Sequence, residues 1–142
     1  MNSFKKMLRH IGLTVTDSEE IENFYEEVLF FRMKNKFTMN SNASQQIFNV
    51  NGLTDVYLMV FKNVEFEIFI SHRKEKKVFS HVCLAYQKPE ITYKNALKSG
   101  YKALIKNGAD HDTWFIWDKS GNMFEIKKYK TEYVKSFLFT SV

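Results

Sequence analysis

The chain has 142 residues, with 44% hydrophobic and 16% aromatic residues and a formal net charge of +5. This length suits one folded domain, and the composition excludes an intrinsically disordered chain. The positive charge comes from scattered lysines without a recognised motif, so we expect no nucleic-acid partner. Cys83 is the only cysteine, which excludes an intramolecular disulfide and favours a cytoplasmic location. No apolar run is long enough for a signal peptide or a membrane span, so we expect no membrane association.

The first half of the chain is predicted to begin with a strand, a helix and a second strand. Residues 7–15 alternate between apolar and polar side chains, with His10 on the polar side. Asp17 and Ser18 can cap the helix that follows, whose apolar residues recur at helical spacing. Residues 31–39 have the composition of the second strand.

Strand segments around a turn and one further strand are predicted before a charged connector, so this half has the order strand, helix and three strands. The polar cluster at residues 40–44 ends the second strand. Residues 45–50 and 54–62 are predicted strands on either side of an Asn-Gly turn, and residues 64–71 form the last strand of this half. The connector at residues 72–77 is the expected boundary between two halves.

The second half repeats this order of elements. Pro89 favours the first turn of a helix, and Gly100 favours its end. The predicted strands are residues 79–86, 102–106, 113–118 and 123–129. The apolar side of the helix is expected to hold Thr92, Tyr93, Ala96 and Leu97. A hairpin turn is predicted at residues 118–122, and residues 130–142 form a tail that packs on the domain or on a second subunit.

Each half carries a histidine in its first strand and a glutamate in its last strand. Alternation directs the apolar residues of these strands to the helices, so the opposite face receives His10, Glu67, His81 and Glu125. A single histidine or glutamate on a strand is usually structural or solvated. The repetition in both halves is what predicts a metal site for Zn, Ni, Co, Fe or Mn. If a pseudo-twofold axis relates the halves, the four side chains converge in one cavity.

Four stretches of the chain resemble a known family. They are HIGLTVTDSEEIENFYEEVLFF (10–31), EFEIF (65–69), SHVCLAY (80–86) and WDKSGNMFEIK (117–127). They are similar to the vicinal oxygen chelate superfamily, which includes glyoxalase I. The resemblance implies one α+β domain over residues 1–142. Its two βαβββ modules, about 7–72 and 78–129, would form a curved, half-open mixed sheet around a central cavity. It also implies a homodimer, and metal ligands at His10, Glu67, His81 and Glu125.

The His/Glu/His/Glu set is most similar to glyoxalase I within that superfamily. The resemblance implies a divalent-metal-dependent lyase or isomerase acting on a small substrate chelated through two adjacent oxygens. Glu67 and Glu125 would carry an enediolate-type proton transfer. The expected substrate is a small molecule, with a thiol conjugate or an anion as candidates. The alternatives are an epimerase, a dioxygenase, a thiol transferase, or a non-catalytic protein that binds a small molecule or antibiotic.

Some positions depart from the family pattern. Phe30 stands where glycine is usual, and Lys119 stands where proline is usual. Glutamates occupy the part of the first helix where an arginine often holds a glutathione carboxylate, so the sequence gives no support for glutathione. Cys83 shares a face with His81 and is expected to pack rather than react. Residues expected either to line the cavity or to pack in the core are Met59, Phe61, Phe69, Trp114, Trp117 and Met123.

Overall fold

The computed structural model describes residues 7–73 and 76–129, which form two four-stranded mixed sheets. The first sheet contains β1 (His10–Val15), β2 (Arg32–Met39), β3 (Thr54–Phe61) and β4 (Val64–Ile70), in the order β1-β4-β3-β2. The second contains β5 (His81–Tyr86), β6 (Ala103–Lys106), β7 (Thr113–Trp117) and β8 (Met123–Lys128), in the order β5-β8-β7-β6. In each sheet the first and last strands are parallel and the other pairs are antiparallel. The predicted α+β fold with two repeated modules is confirmed.

Three helices connect these strands. A π-helix (Ile21–Glu26) follows β1, α1 (Ser41–Phe48) follows β2, and α2 (Pro89–Lys98) follows β5. None of the helices within the described ranges is long and apolar enough to cross a membrane. The predicted tail at 130–142 lies outside the described residues.

The strand predicted at residues 45–50 is wrong, because α1 occupies most of this segment. The Asn40 side-chain oxygen accepts a hydrogen bond of 2.8 Å from the Ala43 backbone N–H, which caps the helix start. Asn49 ends the helix in the left-handed conformation at φ 55°. A short apolar pair, Ile47 and Phe48, resembled a strand because runs of this length do not separate strand from helix. The first module therefore has one helix more than the predicted βαβββ pattern.

The boundaries of α2 follow the sequence prediction. Pro89 lies in its first turn, and Gly100 ends it at φ 82° while the Tyr101 N–H donates to the Ala96 carbonyl at 2.9 Å. Thr92 and Ala96 are fully buried, as expected, but Leu97 is 48% exposed. Leu97 lies about 140° around the helix from Thr92, so it falls outside the buried stripe.

Phe30 adopts a backbone conformation that disfavours a side chain. The π-helix has hydrogen bonds between residues five apart, such as Glu27 N–H to Glu22 O at 3.0 Å. The chain leaves it through Phe30, at φ 61°, and the Phe31 N–H donates to the Tyr25 carbonyl at 2.8 Å. The left-handed region costs a residue with a Cβ roughly 1–2 kcal/mol, whereas glycine enters it freely. Phenylalanine in place of glycine therefore carries a backbone cost at this position.

Replacement of Phe30 by glycine is expected to give a more stable protein than replacement by alanine. Both variants lose the half-exposed phenyl ring, but only glycine relieves the strain, so their free energies of unfolding should differ by about 1 kcal/mol. Urea denaturation measures the difference. Phe37 is the control, since it is also partly exposed but lies in extended strand β2. There Phe37→Ala should be more stable than Phe37→Gly. The same order at both positions would contradict the explanation.

One hydrophobic core is shared by both modules. Phe24 of the π-helix contacts Tyr101 with ring centroids 4.8 Å apart, and Phe61 of β3 contacts Tyr86 of β5 at 4.8 Å. The strand residues predicted to face the helices are buried or packed against this core: Ile11, Leu13, Val15, Phe66, Ile68, Ile70, Val82, Leu84, Phe124 and Ile126. Of the residues left open between cavity and core, Met59, Phe61 and Trp114 belong to the core. The apolar face of each sheet therefore lies against the shared core, and the opposite face points away from that core.

Candidate metal centre

The first predicted pair of ligands meets on the outer face of the first sheet. Glu67 in β4 is the register partner of Gly12 in β1, and His10 lies two residues before Gly12 on the same face. The His10 Nε2 atom is 3.4 Å from the Glu67 Oε2 atom. Both side chains are partly exposed, so an ion can reach them from solvent.

The second pair repeats this arrangement in the second sheet. Glu125 is the register partner of Cys83, and His81 lies two residues before Cys83. The His81 Nε2 atom is 3.3 Å from the Glu125 Oε2 atom. The other ring nitrogen, Nδ1, is 2.7 Å from the Phe79 carbonyl oxygen. Such a carbonyl holds the proton on Nδ1 and leaves the Nε2 lone pair free for a ligand bond, an arrangement common at metal-binding histidines.

The spacing within each pair fits two ligands of one ion. Nitrogen and carboxylate oxygen atoms bind Zn²⁺ at about 2.1 Å, so two of them at tetrahedral or octahedral angles lie about 3.0–3.4 Å apart. The distances between donor atoms, 3.4 Å for His10 and Glu67 and 3.3 Å for His81 and Glu125, fall at the upper end of this range. A hydrogen-bonded ion pair has a similar separation, so the geometry fits both.

The four predicted ligands do not meet within one chain. Across residues 7–73 and 76–129, no group of three or more His, Cys, Asp and Glu side chains is close enough to hold one metal ion. The shared core explains the separation, because each pair lies on the sheet face opposite to that core. One chain therefore presents two separate His–Glu pairs, His10 with Glu67 and His81 with Glu125, which are called half-sites below.

Cys83 lies beside the second half-site. Burial raises the pKa of its thiol, and the Glu125 carboxylate raises it further. The thiol is therefore protonated near neutral pH and is a weak metal ligand. Cys83 is exposed, however, so the expected packing role is wrong. A cavity of about 320 Å³ adjoins the same half-site and is lined by Glu125, Lys127 and His111, among others.

A network of buried hydrogen bonds links the two modules and is called the buried joint below. Its members are Glu20, Tyr25, Tyr101, Asp118, Asn122 and the backbone N–H of Lys119. The Glu20 side chain is 2% exposed and accepts hydrogen bonds from the Tyr101 hydroxyl and, at 2.7 Å, from the Lys119 backbone N–H. Glu20 lies at the start of a helix, where acidic residues are usually solvated. Its partners lie 81 and 99 residues away, so local pattern carries no signal of its burial.

The hairpin turn of the second module completes this joint. Asp118 is buried and accepts hydrogen bonds from the Tyr25 hydroxyl at 2.7 Å and the Asn122 backbone N–H at 2.8 Å. Asn122 donates in turn to the Thr14 carbonyl at 2.9 Å. Burial raises the pKa of Tyr25 well above its ordinary value, and the Asp118 carboxylate adds to the effect. These buried groups are hydrogen-bonded across the boundary between the modules, which favours the observed relative orientation.

Solved structures share this fold, although no protein-family model and no curated protein matches the sequence. The fosfomycin resistance protein FosX from Mesorhizobium loti is 13% identical with a TM-score of 0.65, covering 94% of this chain and 99% of its own. A mutant of FosX from Listeria monocytogenes, complexed with Mn(II) and 1S,2S-dihydroxypropylphosphonic acid, is 12% identical with a TM-score of 0.70 over 93% and 99%. A glyoxalase family protein from Enterococcus faecalis is 18% identical with a TM-score of 0.62 over 85% and 96%. The chain thus has the vicinal oxygen chelate fold.

Proposed function

We propose that this protein is a divalent-metal-dependent enzyme of the vicinal oxygen chelate type, with glyoxalase-I-like proton transfer. The observation that carries the proposal is the pair of matched His–Glu half-sites, each at ligand spacing and at the same register of its sheet. One such pair is unremarkable as an ion pair. Two pairs at equivalent positions of two modules are the arrangement that a shared metal site requires.

A homodimer would complete this site. Strands β1 and β5, which carry the two histidines, each lie at the end of the described part of their sheet. Large apolar side chains next to them are exposed, including Met7 and Phe79, the latter 86% exposed. If β1 of one chain lies beside β5 of another, each His10–Glu67 pair meets a His81–Glu125 pair. The twofold symmetry of such a dimer produces two identical sites.

The two glutamates would have different tasks in the completed site. A divalent ion held there would polarise two adjacent substrate oxygens and stabilise the negative charge that forms on them. A carboxylate oxygen of Glu67 would accept a proton from the carbon beside a substrate carbonyl and return it to the neighbouring carbon. Glu125 would remain a ligand beside His81, whose ring is oriented by the Phe79 carbonyl. The substrate would be a small molecule with two vicinal oxygens.

Metal content measured by mass spectrometry tests the site. Protein reconstituted with Ni, Zn, Co, Fe or Mn is expected to hold about one ion per chain, and His10→Ala and Glu125→Ala should lose about 10–100-fold in metal affinity or more. His72→Ala and Glu90→Gln are matched controls, since both residues lie outside the half-sites. If the wild-type protein holds no metal after reconstitution, the proposal that it is a metal-dependent enzyme is refuted.

Glu67→Gln separates the role of ligand from that of base. If Glu67 moves the proton, the variant should retain its metal while kcat falls by about 10²–10⁴-fold. If Glu67 is only a ligand, metal affinity should fall instead. The first assay combines methylglyoxal with a panel of thiols and follows isomerisation of the hemithioacetal.

A second candidate reaction is the opening of an epoxide-bearing phosphonate to a diol. The observation in its favour is the likeness to FosX, which has been crystallised with Mn(II) and a dihydroxypropylphosphonic acid. In that case Glu67 would activate water rather than move a proton between carbons. Incubation with fosfomycin and detection of the diol by phosphorus NMR distinguishes the two reactions.

A further inference from the structure

A cavity of about 240 Å³ lies between α1 and the outer face of the first sheet. Its floor is the face that carries His10 and Glu67, and its walls come from the end of α1 and the segment after it. The lining residues used below are Gly12, Thr14, Phe48, Val50, Phe69 and Arg73. Since α1 was not predicted from the sequence, neither was this cavity.

Two phenyl rings and a glycine give the cavity an apolar part. The rings of Phe48 and Phe69 contact each other with centroids 5.1 Å apart and a tilt of 57°. A Cβ on Gly12 would lie 3.5 Å from the Phe69 ring, so the glycine keeps the floor free of a side chain. Phe48 is only half-buried, and its exposed ring is available to a planar ligand.

Arg73 brings a positive charge to the cavity lining, and hydrogen bonds hold it there. One terminal nitrogen of Arg73, Nη1, donates to the Asn49 carbonyl oxygen at 3.0 Å, at the residue that ends α1. Its backbone N–H donates to the Ser71 hydroxyl at 3.2 Å. A guanidinium has five N–H donors, so this arrangement leaves others for a ligand. Arginine pairs with carboxylate and phosphate groups through two parallel hydrogen bonds.

We propose that this cavity recognises the non-reacting end of the substrate, which is a small organic anion with a planar apolar body. The body lies against Phe48 and Phe69, and the anionic group pairs with Arg73. The assignment to a substrate rests on the proposed function, whereas binding of such an anion does not. Phe69 follows Glu67 by two residues on the same strand face, a distance of about 7 Å. One small molecule can therefore occupy the cavity and extend to the His10–Glu67 pair.

The size of the cavity limits what it holds. Pockets for drug-sized ligands measure about 300–1,000 Å³, so 240 Å³ suits a single ring with one substituent. Benzoate has this shape and charge. Benzamide matches it without the charge, and acetate matches the charge without the ring.

Titration of metal-free protein followed by amide NMR tests the proposal with these three probes. Benzoate is expected to bind with a Kd of about millimolar, typical of so small a ligand, and to shift the amides of Gly12, Phe48 and Val50. Benzamide and acetate should each bind about tenfold more weakly. Arg73→Gln should weaken benzoate about tenfold and leave benzamide unchanged, while Phe48→Ala should weaken both.

Arg32→Gln is the control, because Arg32 is exposed on β2 and does not line the cavity. Equal binding of benzoate and benzamide, no effect of Arg73→Gln, or shifts confined to other amides would overturn the proposal. The experiment uses no metal, so its result is independent of the metal measurements. If the protein binds metal but not benzoate, only the assignment of the cavity is refuted. If it binds benzoate but no metal, only the proposal of a metal-dependent enzyme is refuted.

Discussion

A heterodimer of His10→Ala and Glu125→Ala chains is expected to bind metal much more tightly than a dimer of either variant alone. In a shared site, His10 of one chain works with Glu125 of the other, so one of the two sites in the heterodimer retains all four ligands. The other site lacks two. Dimers purified through two different affinity tags should therefore hold about one metal ion, against about two in the wild type.

The matched control places both substitutions in one chain. A His10→Ala/Glu125→Ala chain paired with a wild-type chain carries the same two substitutions per dimer, yet both of its shared sites are damaged. It should bind almost no metal. If instead each chain held its own complete site, the heterodimer of the two single variants would bind almost no metal. The control dimer would then hold about one ion, in its wild-type chain. The comparison thus decides between a shared site and an internal site whatever the metal is.

Lys119→Pro is expected to destabilise the protein although proline suits the turn. Lys119 is the second residue of a turn closed by the Gly121 N–H and the Asp118 carbonyl at 3.3 Å, a position that favours proline. The cost arises elsewhere, because proline lacks the N–H that donates to the buried Glu20 carboxylate at 2.7 Å. A buried acceptor that loses a partner costs about 1–3 kcal/mol, more for a charged group, so we expect a loss of about 2 kcal/mol.

Lys119→Ala is the control for that measurement. It removes the lysine ammonium group 5.8 Å from the centre of the Tyr101 ring but keeps the backbone N–H, so chemical denaturation should show a loss below about 1 kcal/mol. A double-mutant cycle adds a second check. In a Glu20→Ala background, Lys119→Pro should cost little, because its acceptor is gone. An undiminished penalty there would assign the effect to the turn rather than to Glu20.

Local pattern was sufficient for the repeated strands. Alternation placed the apolar residues of β1, β4, β5 and β8 toward the core, because one sheet face is buried along its whole length. It also placed His10 with Glu67 and His81 with Glu125 on shared faces, since register within each module follows from that alternation. The end of α2 followed from Gly100, whose conformation only glycine adopts at no cost.

Features that depend on residues far away in the sequence could not be predicted from the local pattern of apolar and polar residues. The α1 helix is short and contains a strand-like apolar pair, so the Asn40 cap was the local feature that distinguished it from a strand. Glu20 is buried by partners from the other module, which no periodicity links to it. The expected convergence of four ligands assumed that the polar faces of the modules meet. Within a chain it is the apolar faces that share a core.

Because of the buried joint, the part of the protein that folds as a unit differs from the part that would react as a unit. A fragment ending at residue 73 would expose Phe24 to water and leave Glu20 and Tyr25 without their partners in the second module. Neither half is thus expected to fold alone, despite the repeat in sequence. Under the proposed function, the smallest folding unit is the whole chain, whereas the reacting unit takes one half from each of two chains. Substitutions at the half-sites can then alter chemistry without touching the interior that keeps each chain folded.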